Sequence, residues 1–358
     1  MTDATESEAA DQVAAAKKAL QEAEAALKAA EAEAEEKEKP AAASAAPAEG
    51  PLGADAIATI EAGYSFDVPA LDMGALVNGE PVPAAQIRIP IAMVNRHGLV
   101  AGATGTGKTK TLQVLAEQLS AAGVPVFAAD IKGDLSGIAS VPGDPDPKLL
   151  ARTQSIGQDW KPQGSPTEYY SLGGMGEGIP IRASVKTFGP LMLSKVLGLN
   201  QTQESSLGLV FHYADSKNLE LITLQDLRAV LNFLQSDDGK AELTELGGLS
   251  KATVGVILRE LITFADQGAD VFFGTPEIDV NDFFRMAPSV DGGAERGMVS
   301  LLGVRSVLGK PELFSTFLMW LLSRLYETLP EVGDTDKPKL VFFFDEAHLL
   351  FKDASKDF

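Results

Sequence analysis

Residues Gly102–Thr109 read GATGTGKT and fit G-x-x-x-x-G-K-[ST] at every fixed position. No other stretch constrains the fold as tightly. Glycines at 102, 105 and 107 let backbone N–H groups close around an anion the size of a phosphate. A helix starting directly after the loop adds its partial positive charge. The flanking sequence supplies that context: HGLVAG reads as a short apolar strand, and Leu112, Leu115, Ala116 and Leu119 give the next segment one buried helical face. VPVFAAD then reads as a second apolar strand. A strand, a crossover helix and a strand form a βαβ unit, which implies parallel pairing. In such a loop Gly102, Ala103, Thr104, Gly105, Thr106, Gly107, Lys108, Thr109 and Lys110 are the candidates for ATP phosphates. Lys108 reaches the β- and γ-phosphates, and the Thr109 hydroxyl is placed to ligate Mg²⁺.

A second feature lies near the far end, where KLVFFF runs into Asp345 and Glu346. A continuous apolar run suits a strand inside a parallel sheet, whose carboxyl end opens where ligands bind. There Asp345 can hold Mg²⁺ through a water, and Glu346 can orient and deprotonate an attacking water. The competing reading is an acidic pair that caps the helix EAHLLF. With His348 the letters spell DEAH, as in superfamily-2 helicases, but Lys108 and Asp345 lie 237 positions apart, too far for one compact helicase lobe. His348 either couples the site to a neighbouring loop or packs on the helix. In FAADIKGDLSG, Asp130, Lys132 and Asp134 follow the second strand; Asp130 is kept as a candidate beside an ordinary polar turn.

Composition narrows the classes. The chain has no cysteine, so disulfide frameworks and thiolate metal sites are excluded, and a reducing, cytoplasmic setting is expected. His97 and His212 stand alone, and no metal cluster is evident. The acidic start lacks an apolar signal core, and no run is long enough to span a membrane. The net charge of −20 disfavours loose nucleic-acid binding, so a DNA role needs a locally basic surface such as an assembled pore.

The chain divides by pattern. Residues 1–50 form an Ala/Glu-rich helical or disordered tail and linker, 51–94 a small β-rich element (ADAIATI, YSFDVPAL, AQIRIPIAMV), and 95–147 the βαβ unit. Residues 148–296 read as a mostly helical insertion, and 297–358 as strand, apolar helix and last strand. Within the tail, Val13, Leu20, Leu27 and Ala34 recur every seventh residue, offering a coiled-coil partner surface over 9–37 or a solvated single helix.

With these stretches assembled, the chain resembles the HerA/FtsK group of P-loop ATPases, and within it the HerA-like bacterial proteins of the YjgR type (DUF853). The matching segments are NRHGLVAGATGTGKT, GVPVFAADIKGDLSG, QGADVFFG, LFSTFLMWLLSRLYETLPEVGD and DKPKLVFFFDEAHLLF, over about residues 87–353. The resemblance implies an α/β RecA-like core, a parallel sheet flanked by helices, that forms hexameric rings and hydrolyses ATP, with relatives that act on DNA. It implies Lys108 and Thr109 on nucleotide and Mg²⁺, Asp345 on Mg²⁺, and Glu346 as the catalytic carboxylate. It also implies further strands, a polar sensor residue and an arginine acting across the ring. None of these follows Phe358, so a truncated core that lacks its C-terminal strands is expected. Such a chain should hydrolyse ATP slowly, since an arginine at the phosphates is worth about 10³–10⁵ in rate. The other function class is an ATP-dependent switch or scaffold that does not move DNA. A GTPase is disfavoured because no Asn-Lys-x-Asp stretch occurs.

Overall fold

The computed structural model describes residues 50–141, 143–245, 248–288, 293–304, 311–329, 333 and 335–347. The heptad stretch at 9–37 and His348 lie outside them. The chain divides into two units, Met1–Leu52 with Asn78–Glu80 and Gly53–Val77 with Pro81–Phe358. In the first, the Leu52 N–H donates to Asn78 Oδ1 (2.9 Å) and Asn78 Nδ2 donates to the Leu52 carbonyl (3.0 Å). Both candidate motifs belong to the second.

ADAIATI, expected as a β-like piece, lies in a helix, α1 (Ala54–Gly63). Ala56, Ile57 and Ile60 are its half-buried positions, at helical rather than alternating spacing, and the rest is rich in alanine. Strands β1 (Ala70–Asn78) and β2 (Glu80–Pro90) pair into a two-stranded sheet. The expected strand HGLVAG does not form. Residues 97–103 have no regular structure, and Leu99 is 85% exposed.

Helix α2 (Lys108–Ala121) and strand β3 (Val126–Asp130) follow as expected. Helix α3 (Pro147–Ser155) comes next, capped by the Asp146 carboxylate, which accepts from the Lys148 N–H. The region expected as a mostly helical insertion then adds two strands to the central sheet, β4 (Thr167–Leu172) and β5 (Ile179–Ile181). Their shortness and the polar ends of TEYYSL leave little apolar alternation to read. The helices of this region are α4 (Val185–Val196), α5 (Gln201–Ser216), α6 (Leu224–Gln235), α7 (Lys240–Glu245) and α8 (Lys251–Asp266). Asn200 opens α5 and Thr223 opens α6, each through a reciprocal capping box. A small antiparallel pair, β6 (Met286–Ala287) and β7 (Arg296–Gly297), leads to β8 (Val299–Gly303), α9 (Pro311–Thr328) and β9 (Val341–Phe344).

Five strands form a parallel sheet in the order β5-β4-β8-β3-β9. β3 lies inside it and is buried at every position; β9 ends it and is half-buried throughout. Alternation sends Phe127, Ala129, Tyr170, Leu172 and Leu302 to one face, against Phe188, Leu227, Ile257, Phe317 and Trp320 of the helices. Val126, Ala128, Val299 and Leu301 point the other way, onto Ala116 and Leu119 of α2 and Leu71 of β1. Residues 97–103 pair with no described strand of this sheet. Among the described residues no helix is long and apolar enough to cross a membrane.

Candidate functional site

Helix α2 begins without a side-chain cap. Its N-cap is Gly107 at φ +94°, a left-handed conformation that suits glycine, and Gly105 has φ +79°. The first-turn N–H groups therefore have no side-chain acceptor and point out of the helix start, an arrangement that favours an anion. Within the loop the Ala103 carbonyl accepts from Lys108 Nζ (2.9 Å) and from Thr106 Oγ1 (2.8 Å). Gly102 to Thr106 are exposed, while Lys108 and Thr109 are half-buried. Candidates Gly102 to Thr109 thus run from the loop directly into the first residues of α2. Lys110 departs from the group: it donates along the helix to Gln113 Oε1 (2.9 Å).

The acidic pair sits at the carboxyl end of β9. β3 runs parallel beside it, with Phe127 opposite Phe342 and Ala129 opposite Phe344, so Asp130 and Asp345 leave the sheet at the same edge. Asp345 is 8% exposed. Its Oδ1 accepts from the Glu346 N–H (2.9 Å), and its Oδ2 is buried with no hydrogen-bond partner among the described residues. A buried carboxylate oxygen without a donor is costly unless a cation or donor reaches it. That oxygen fits a divalent ion. Among the described residues no group of three or more carboxylates and histidines gathers anywhere. An ion here would thus be held by the Asp345 carboxylate with oxygens of water or a ligand rather than by a protein cage.

Between these two motifs lies the loop after β3. Gln113 Nε2 of α2 donates to the Asp134 carbonyl (2.7 Å), and Lys132 Nζ meets Glu346 Oε1 at 2.5 Å. The glycine-loop helix and the acidic pair therefore touch one short segment. The hydrogen bond to Glu346, followed by the charges of Glu346 and Asp345, raises the pKa of the Lys132 ammonium. Sequence reasoning placed Lys132 on this edge without assigning it a task and did not single out Gln113. The nearest signal was the carboxyl-edge position of IKGD itself.

Asp130 does something else. It is buried, and its two oxygens accept from the Gly133 N–H (2.8 Å), the Leu135 N–H (3.2 Å) and Ser136 Oγ (3.2 Å). Those bonds shape the loop from within. A cleft of about 720 Å³, lined among others by Tyr64, Arg88, Glu117 and Trp160, includes no residue of either motif. The candidate chemistry lies instead on the open carboxyl edge.

Residues 76–358 match the family model described as "Helicase HerA-like C-terminal". No curated protein sequence matches the chain. Among solved structures it is similar to VirB4 of Thermoanaerobacter pseudethanolicus, at 13% identity and TM-score 0.45 over 80% of this chain and 70% of that one. It is also similar to the bacterial conjugative coupling protein TrwBdeltaN70, at 14% identity and TM-score 0.44 over 80% of this chain and 62% of that one.

Proposed function

The chain belongs to the family of HerA-like helicase C-terminal domains, and from that premise we propose that it binds and hydrolyses ATP as one subunit of a ring-shaped motor acting on DNA. One observation carries the reading: Gln113 of the helix that follows the glycine loop and Glu346, neighbour of the Asp345 whose buried Oδ2 has no donor among the described residues, both contact the loop at 130–136. Lys108 would exchange the Ala103 carbonyl for the β- and γ-phosphates, and the α2 N–H groups would hold the phosphate chain. Thr109 and Asp345 would hold Mg²⁺, which when bound neutralises phosphate charge. Glu346 would accept the proton of the attacking water.

The test is ATP turnover by the protein with and without duplex DNA. Glu346→Gln should retain ATP binding and lose turnover by about 10²-fold or more. Lys108→Ala should lose binding. Duplex DNA should raise the wild-type rate. The net charge of −20 favours the other reading, a nucleotide-dependent switch or scaffold. A rate indifferent to DNA selects that reading, and normal turnover in Glu346→Gln rejects both.

A further inference from the structure

We propose that Lys132 is a positioning residue for Glu346: its ammonium fixes the direction of that carboxylate and ties it to the helix that carries Lys108 and Thr109. The inference rests on the reading of Glu346 as the group that activates water. It starts from a contact no local pattern predicts, since the two residues are 214 positions apart.

Both sides of the contact are built before they meet. On the lysine side, the Asp130 carboxylate gathers the Gly133 and Leu135 N–H groups and the Ser136 hydroxyl, and Gly133 turns the chain at φ +83°. The backbone that presents Lys132 is therefore set from within the sheet edge. Gln113, just over one turn into α2, holds the same loop at the Asp134 carbonyl. Movement at the start of α2 would thus be transmitted to the lysine through one hydrogen bond. On the other side, Glu346 takes φ +50°, a left-handed conformation uncommon outside glycine, and its N–H is held by Asp345 Oδ1. Backbone strain of this kind is stored where surrounding structure over-determines a residue, and it clusters at functional sites.

The ion pair itself has the wrong character for a structural strut. The Lys132 side chain is 55% exposed and that of Glu346 26% exposed. Pairs open to solvent add little to folding stability. What such a pair can do is remove rotational freedom from a long carboxylate whose direction matters to a proton transfer.

Two measurements on the protein test this. Carbodiimide treatment condenses an ammonium and a carboxylate in contact into an amide, while the reagent takes up the water as a urea. Mass spectrometry of the digest should find Lys132 joined to Glu346. Steady-state kinetics should then show that Lys132→Met lowers kcat by about tenfold while KM, the Kd for a fluorescent ATP analogue and the melting temperature stay put. Lys132→Arg should restore most of the rate. The assignment is overturned by absence of the cross-link, by an unchanged or raised kcat in Lys132→Met, or by a loss that tracks KM or melting. Wild-type turnover in Glu346→Gln would instead sink the functional reading beneath it.

Discussion

On one face of the sheet, Phe127 meets Phe283, Phe317 and Phe342 ring against ring, with centroids 5.1 to 6.4 Å apart. On the other face, its neighbours Val126 and Ala128 belong to a smaller cluster with α2, Leu71 of β1, Ile91, Leu135 and Ile138. The first face continues through Phe272 and Trp320 into α4, α5, α6, α8 and α9. The second is thin, and it bears the helix whose start carries Lys108 and Thr109. Stability is concentrated on the helical side, while the groups with chemical reach lie on the thin side and along the carboxyl edge. A site that must admit and release a ligand is compatible with a light covering, because elements with few buried apolar contacts open at low cost.

The sharpest way to break this contrast is a pair of truncations. Phe317→Ala removes a fully buried ring from the thick face and should cost about 3–5 kcal/mol in urea unfolding. The folded fraction should bind ATP as before. Leu119→Ala on α2 should cost about 2–3 kcal/mol and also weaken ATP binding, because it loosens the helix that presents the loop. Equal effects on binding from both would show that the faces are not separate in function.

A smaller change tests how well the centre of the sheet is satisfied. Ser300 in β8 is fully buried, and its hydroxyl has no hydrogen-bond partner among the described residues. Ser300→Ala should raise stability by about 1 kcal/mol, measured as a shift in the urea midpoint at constant slope. A loss would mean that the hydroxyl is bonded in solution.

The smallest effect is expected at Glu117 of α2, which is half-buried. Burial holds the Glu117 carboxyl above its ordinary value of 4.5, against the opposing pull of Lys110 and Arg296. A carboxyl raised on folding keeps its proton longer than the unfolded chain does, so stability falls as pH rises from about 4.5 through the raised value. Glu117→Gln should therefore melt higher than wild type at pH 7 and no higher at pH 4. A difference of the same size at both values would remove the charge from the explanation.

Several elements were legible before any coordinates. GATGTGKT specifies a turn that glycine permits and a helix start, and both are present at Gly105, Gly107 and Lys108. Leu112, Leu115, Ala116 and Leu119 mark one face of α2, and Ala116 and Leu119 are buried. The apolar runs of β3 and β9 are strands. HGLVAG forms no strand because an apolar run states only that a strand is allowed; among the described residues none pairs with it, and Leu99 is left exposed. TEYYSL was missed for the opposite reason. Its pattern is weak, and its place beside β8 decides its state.

What the amino-acid order determined by itself is local: where glycine must turn, which residues share a helical face, and where an apolar run ends in two acids. Those follow from interactions a few residues long. The tertiary structure alone decided that β9 lies next to β3, that Asp130 is absorbed into its own loop, and that Lys132 reaches Glu346. Parallel strands are joined by long crossovers, so their neighbours are chosen by packing over hundreds of residues rather than by any pattern in the strands themselves.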